Sequence, residues 1–209
     1  MNETYREKIK KTYYKFMMYR NPVDRLLSAY RDKVEKIPLL GLDLNIPERN
    51  WINMYAFKFK HPEAFQTWKK RGANTSVQID FTDFIDYWIH TNGLNHDDHF
   101  MPIIDLCNPC SMHYDYYGEF NRFKEDATVL MRRIGADSSL LEDYHWSADS
   151  GKMNRLTLKY YSQLSAEQKI KVIDILAKDL CFYYTIFPTE KDKHKLIMNI
   201  DYDIPCITS

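Results

Sequence analysis

The sequence lacks an excess of charge of either sign. Its 209 residues include 29 lysines and arginines and 29 aspartates and glutamates, and the isoelectric point is near 7.0. A balanced chain exerts no overall attraction on nucleic acid or on acidic membranes, so we expect neither as a partner. If the substrate is a polyanion, a local basic patch must attract it.

Long apolar runs are also missing. No stretch approaches the roughly 20 residues that a membrane-spanning helix needs. The N-terminal segment MNETYREKIKK has no apolar region of the kind found in signal peptides. We therefore predict no membrane segment and no targeting signal in the chain as written. The cysteines are too few to define a disulfide framework, and they leave the compartment open; they are Cys107, Cys110, Cys181 and Cys206.

What the chain does contain is an alternation of strand and helix patterns. Residues 13–19 are aromatic and apolar almost throughout and predict a buried strand, after which Pro22 opens an amphipathic helix over 23–36. A second strand is predicted at 114–120, with a helix at 122–134 after it. This order favours an α/β fold with a parallel sheet flanked by helices.

The remaining segments complete a prediction of one domain over residues 1–209. With 44% hydrophobic residues the chain can bury one sizeable core. Further helices are predicted at 51–60, 81–90 and 166–187, and Ser165 is the expected N-cap of the last one. Polar or irregular connections are expected at 69–76, 92–111 and 137–157. The tail, 188–209, is expected to be peripheral.

The segment RNPVDRLLSAYR, residues 20–31, carries the main functional signal. An arginine that leaves the carboxyl end of a parallel strand points into the crevice where α/β proteins bind ligands. Ser28 stands about two helical turns further on, so its hydroxyl can reach an oxygen held by Arg20. A guanidinium and a hydroxyl together suit a terminal phosphate. The alternative is that Arg20 forms a surface ion pair and Ser28 is merely tolerated by the helix.

Four colinear segments resemble carbohydrate sulfotransferases of the chondroitin/dermatan 4-O-sulfotransferase group. RNPVDRLLSAYRDK resembles their 3′-phosphate-binding motif. HFMPIIDLCNPC, YDYYGEF and LKYYSQLSAEQ resemble later segments in the same order, with Phe100 replacing a tryptophan and Glu119 replacing a lysine. A fifth short match, DLCF, lies on the last long helix. The resemblance runs from about residue 13 to residue 187.

This resemblance implies a P-loop-like sulfotransferase fold that uses 3′-phosphoadenosine-5′-phosphosulfate (PAPS) as co-substrate. The resemblance implies that Arg20 and Ser28 bind the 3′-phosphate. Arg25 either adds to this patch or pairs with Asp32 or Glu35. The implied activity is transfer of sulfate to a hydroxyl of a glycan, in the Golgi lumen, by a protein that is membrane-anchored in its full-length form. The acceptor and the oligomeric state are not readable from the sequence.

The loop that holds the 5′-phosphosulfate in such enzymes has no counterpart in this sequence. That loop contains Pro-Lys and follows the first strand, whereas the twelve residues before Tyr13 contain neither proline nor glycine. We therefore expect an N-terminally incomplete piece that lacks the first strand and this loop. The alternative is a catalytically inactive chain, or a non-catalytic secretory binding domain on the same fold. A nucleotide kinase is disfavoured because the chain has no GxxxxGK[ST] motif.

Secondary candidates have competing interpretations. His99 is the best candidate for the base that accepts the hydroxyl proton, but it equally suits a substrate-orienting or structural role. The cluster NHDDH around it is more typical of solvated side chains than of a metal site, so we expect no metal. Cys107 and Cys110 are expected to be in disulfides rather than in a zinc or redox site, and Cys181 to be a packed thiol. Lys152 and Arg155 are candidate donors to the nucleotide.

Overall fold

The computed structural model describes residues 3–35, 47–71, 77–95, 97–141, 150–191, 193–204 and 206. The helices within these ranges are α1 (Glu3–Thr12), α2 (Pro22–Tyr30), α3 (Pro47–Lys60), α4 (Pro62–Lys70), α5 (Phe81–His90), α6 (Ile103–Cys107), α7 (Pro109–Met112), α8 (Phe123–Arg133), α9 (Ser150–Tyr161), α10 (Ala166–Ile186) and α11 (Lys193–Met198). The strands are β1 (Phe16–Tyr19) and β2 (Tyr116–Glu119). No helix in the described ranges is long and apolar enough to cross a bilayer.

The two strands pair in parallel, with Phe16 opposite Tyr116 and Tyr19 opposite Glu119. This confirms the predicted α/β fold with a parallel sheet, although the described sheet has two strands and helices dominate. Gly118 lies opposite Met18, and a Cβ at this glycine would meet the Met18 Sδ at 2.5 Å. A side chain at position 118 would therefore force Met18 to move.

Helix α2 begins where the sequence predicts a turn. The Asn21 side chain accepts a hydrogen bond of 3.0 Å from the backbone N–H of Val23, and Pro22 occupies the first helical position. The predicted helix at 23–36 is α-helical only to Tyr30 and continues as one π-helical turn, Arg31–Glu35. One face of α2 is fully buried against α9 and α10, so the helix has a fixed place in the core.

Aromatic side chains form much of the core. The Tyr30 ring packs against Phe81 and Phe84 at centroid distances of 5.1 Å, and Phe81 also contacts Tyr161. Helix α5 has the predicted bounds. Helix α10 begins with the predicted Ser165 cap, which with Gln168 forms a reciprocal capping box.

Several segments expected to be irregular are helical. The polar segment 137–157 contains the start of α9, which begins at Ser150. On this helix Thr157 and Tyr161 are buried. The irregular stretch 92–111 contains the short helices α6 and α7. Helices α1 and α4 were not predicted at all. Few described side chains of these helices are buried. A helix with few buried positions has a weak apolar period in its sequence and is therefore hard to predict.

The C-terminal segment contributes to the core, contrary to the expectation of a peripheral tail. Ile197 and Met198 on α11 are buried, and the imidazole Nδ1 of His194 lies 3.1 Å from the Tyr184 hydroxyl. Cys181, expected to be a packed thiol, forms a disulfide with Cys206. A disulfide partner across a separation of 25 residues cannot be read from local sequence patterns.

We expect Cys206→Ser to lower the free energy of unfolding by about 3 kcal/mol, because the disulfide closes a loop of this size in the unfolded chain. Urea unfolding with and without reductant measures the effect. Cys110→Ser, which changes an exposed free thiol, is the control and should leave stability nearly unchanged. Equal stability of Cys206→Ser and the unaltered chain would contradict this role of the disulfide.

Candidate functional site

A cleft of about 410 Å³ lies between α2 and the loop that precedes α6. The four residues that the sequence predicted as site residues all face it. Two of them come from α2, one from the end of β1 and one from the loop. The lining residues are Arg20, Arg25, Ser28, Ala29, Arg31, Asp32, Asp98 and His99.

Arg20 follows β1 directly and lies half-buried at one wall of the cleft. Its guanidinium carbon stands 3.8 Å above the centroid of the Phe120 ring. Burial lowers the pKa of Arg20, whereas the nearby Asp24 carboxylate raises it. No carboxylate of the described residues forms an ion pair with this guanidinium. Because arginine stays charged even when half-buried, Arg20 is a positive group with donors left for an anion.

Ser28 is also half-buried and stands on the cleft side of α2. Within the described part of the chain, its hydroxyl donates no hydrogen bond. Among the residues that the structure describes, Arg20 therefore lacks the ion pair that the alternative interpretation required. A hydroxyl and a guanidinium face the same small cleft.

The Arg25 guanidinium binds backbone carbonyls of the loop that precedes α6. Its Nη1 donates to the Met101 carbonyl at 2.7 Å, and its Nη2 donates to the Asp98 carbonyl at 3.0 Å. It pairs with neither Asp32 nor Glu35, the two partners considered from the sequence; Asp32 pairs with Lys33 and Glu35 with Arg31. Arg25 thus fastens the loop 97–101 onto α2, beside Ser28.

His99 lies in this fastened loop. Asp97 Oδ1 accepts a hydrogen bond of 2.8 Å from the His99 backbone N–H and lies 3.0 Å from its Nδ1. The His99 side chain is 51% exposed. A carboxylate at Nδ1 favours the tautomer that carries a proton there, so Nε2 is the nitrogen left for a ligand.

The loop is fastened from a second side by Asp179 on α10. The backbone N–H groups of Ile103 and Ile104 donate to its carboxylate at 2.8 and 3.1 Å, so Asp179 caps α6 from another helix. Burial raises the pKa of Asp179, and these two hydrogen bonds oppose that rise. Sequence reasoning gave Asp179 no role, although the DLCF match begins at this residue and Pro102, at the N-cap of α6, offers no capping side chain.

Comparison with known proteins identifies the family of the chain. The sequence model of the sulfotransferase family matches residues 1–185. The chain belongs to the sulfotransferase family. Its helix-rich architecture with a small parallel sheet is consistent with the sulfotransferase fold, as the sequence resemblance implied.

Curated relatives of this sulfotransferase are carbohydrate sulfotransferases. The chain is 32% identical over 124 residues to carbohydrate sulfotransferase 14 of Danio rerio, covering 59% of this chain and 30% of that protein. It is 28% identical over 185 residues to carbohydrate sulfotransferase 8 of Mus musculus, covering 83% and 40%. It is 24% identical over 180 residues to carbohydrate sulfotransferase 11 of Rattus norvegicus, covering 84% and 48%. The chain therefore spans less than half the length of each. No solved structure gives a significant match.

Asp24 is a buried carboxylate of this sulfotransferase to which the sequence assigned no role. Burial raises its pKa, and a hydrogen bond of 2.7 Å from the Thr157 hydroxyl acts in the opposite direction, as does the charge of Arg20. Asp24 is fully buried on α2, and Thr157 lies on α9. The pair therefore joins α2 to α9.

Glu119, which replaces the lysine of the resembling motif, is buried at the end of β2. It accepts a hydrogen bond of 3.0 Å from the Tyr183 hydroxyl and pairs with Arg122 at 3.3 Å. Burial raises the pKa of Glu119, and both partners oppose that rise. A lysine at position 119 could not accept this hydrogen bond from Tyr183.

The remaining candidates lie apart from the cleft. Cys107 and Cys110 are free thiols, so the expected disulfides at these positions are wrong, and burial raises the pKa of Cys107. Arg155 is exposed on α9 and does not line the cleft, while the side chain of Lys152 is outside the described residues. His96 is also outside them. Among the residues that are described, no group of three or more potential metal ligands is present.

Arg25→Lys should release the loop 97–101, because an ammonium group cannot donate to both carbonyls in the geometry of the guanidinium. We expect faster amide exchange from residue 98 to residue 104 and a stability loss of about 1–3 kcal/mol. Hydrogen exchange with mass spectrometry measures the first effect. Arg31→Lys, in the same cleft, is the matched control, and equal exchange in both variants would contradict the fastening role.

Thr157→Val should destabilise the protein by about 2 kcal/mol near pH 7, because it removes a hydrogen bond to a buried carboxylate. Loss of this hydrogen bond raises the folded-state pKa of Asp24 further above the unfolded value. Stability then falls as pH rises between those two pKa values, so the deficit is smaller near pH 4 than near pH 7. Urea unfolding at both pH values checks this, with the partly exposed Thr128→Val as control. A deficit independent of pH would exclude the link to Asp24.

Proposed function

We propose that this chain carries the donor-binding part of a carbohydrate O-sulfotransferase, in which Arg20 and Ser28 bind the 3′-phosphate of PAPS. The observation that carries the proposal is the shared cleft: a half-buried guanidinium without a carboxylate partner in the described residues faces a hydroxyl that donates to none of them. Membership of the sulfotransferase family supports it.

The arrangement suits a phosphate dianion. The Phe120 ring lies against one face of the Arg20 guanidinium and restricts it to one plane, which leaves its edge to donate paired hydrogen bonds to phosphate oxygens. Ser28 adds a donor from the helix. The N–H of Val23 is already used by the Asn21 cap, so side chains rather than the start of α2 supply most of the binding. The 3′-phosphate is also the group that distinguishes PAPS from ATP.

The reaction we propose is in-line transfer of the sulfuryl group from PAPS to a glycan hydroxyl, which leaves 3′-phosphoadenosine-5′-phosphate (PAP). Such transfers depend on positioning and charge stabilisation rather than on covalent chemistry by the protein. Arg20 and Ser28 position the donor through its 3′-phosphate. A carbohydrate acceptor follows the names of the relatives, which are carbohydrate sulfotransferases. The narrower class, a sugar of a glycosaminoglycan or glycoprotein, is what the sequence resemblance implies.

A Golgi lumenal location is part of the same proposal. The Cys181–Cys206 disulfide favours an oxidising compartment of the secretory route. A membrane anchor would then belong to a longer form of the protein, as the sequence resemblance implies.

A non-catalytic domain on the same fold is the second candidate, and Glu119 favours it. A buried carboxylate stands where the resembling motif has a lysine, close to the end of the parallel sheet. Transfer of radiolabelled sulfate from PAPS to desulfated chondroitin by this chain would exclude this candidate. PAP binding without any transfer would favour it.

Arg20→Ala and Ser28→Ala should each weaken PAP binding by about 1–3 kcal/mol, as expected for hydrogen bonds to a charged group. Isothermal titration calorimetry with PAP measures this, and adenosine 5′-phosphate, which lacks the 3′-phosphate, should bind all variants equally. Arg132→Ala removes an exposed arginine on α8 and is the matched control. Unchanged PAP affinity in both site variants would remove the assignment.

A further inference from the structure

We propose that His99 is a third ligand of the same 3′-phosphate, binding as an imidazolium, rather than the base that accepts the proton of the glycan hydroxyl. The inference rests on the proposed function, because it presumes that the cleft holds this phosphate. It assigns a different chemistry to the histidine that the sequence offered as a candidate base.

The position of His99 is fixed by contacts on both sides of it. The Arg25 guanidinium donates to the carbonyls of Asp98 and Met101, the residues that bracket His99. Arg25 and Ser28 are three positions apart on α2 and therefore lie on the same face. The backbone at His99 is thus held against the helix face that carries the Ser28 hydroxyl, and the two residues line one cleft with Arg20.

The geometry of the donor separates two roles for a histidine. In PAPS the ribose ring, the 5′ carbon and a phosphate stand between the 3′-phosphate and the sulfur that is transferred. A base must lie at the sulfuryl end, where the glycan hydroxyl attacks. His99 lines the same cleft as Arg20 and Ser28, so the inference places it at the 3′-phosphate end of the nucleotide.

A phosphate in the cleft would place an anion beside the His99 ring, opposite the Asp97 carboxylate. Asp97 lies 3.0 Å from Nδ1 and stabilises a proton there. A phosphate dianion at the other nitrogen would stabilise a second proton, on Nε2, which would donate to a phosphate oxygen. Arg25, Arg31 and Asp32 are engaged with protein groups, whereas the Asp98 carboxylate, next to His99, adds a second negative charge beside the ring. The charged residues that share the cleft are Arg20, Arg25, Arg31, Asp32 and Asp98.

Calorimetric titration of the 209-residue chain with PAP between about pH 6.5 and pH 8.5 tests the inference. The phosphate is mainly dianionic throughout this range, since its second pKa is about 6. We expect the affinity of the unaltered chain to fall about tenfold across the range as the imidazolium is lost. His99→Gln should bind about tenfold more weakly at the acidic end and show little pH dependence. His99→Lys, which keeps a cation, should restore affinity and remain independent of pH.

The outcomes separate this inference from the proposed function. If His99→Gln keeps the affinity and the pH profile of the unaltered chain while Arg20→Ala loses affinity, the cleft binds the phosphate and the role of His99 is overturned. If Arg20→Ala, Ser28→Ala and His99→Gln all bind PAP normally, the proposed function fails as well. Adenosine 5′-phosphate should show none of these differences, and circular dichroism of each variant confirms that it is folded.

Discussion

The site depends on the two hydrogen bonds by which Arg25 holds the loop 97–101 against α2. They are direct hydrogen bonds between the helix that carries Ser28 and the loop that carries His99. Asp179 completes the fastening by capping α6 from α10, so the loop is attached to two elements of the core. Charge-assisted hydrogen bonds to backbone carbonyls and amides are strong and directional, which explains how an irregular segment acquires a definite position.

The second organising feature is the half-buried guanidinium of Arg20 together with the buried carboxylate of Asp24. Arg20 stacks on Phe120 at the cleft, and Asp24 lies one helical turn away, fully buried and bonded to Thr157. Burial disfavours both charged forms, and their mutual attraction offsets part of that cost. Since the described carboxylates do not neutralise Arg20 by direct contact, the guanidinium keeps its capacity for an anion from outside.

The sequence predicted the larger share of the elements that pack strongly. The aromatic strand at β1, the helix α5 and the capped start of α10 follow from apolar periodicity, Pro22, and Ser165 with Gln168. Helices with a short apolar face were missed, as at α9 and α11. Their stability comes from tertiary contacts such as Thr157 with Asp24 and Ile197 in the core, which local patterns do not contain.

The sequence by itself determined the family, the parallel strand-helix unit and the candidate phosphate ligands Arg20 and Ser28, because motif spacing and hydrophobic period are local properties. Only the tertiary structure decided the role of Arg25, the proximity of His99 to the cleft and the pairing of Cys181 with Cys206. These depend on groups about 25 to 75 residues apart that meet only when the core forms. An arginine on a helix gives the same sequence pattern whether its guanidinium binds a ligand or a loop carbonyl. The packing of distant segments decides between these two roles.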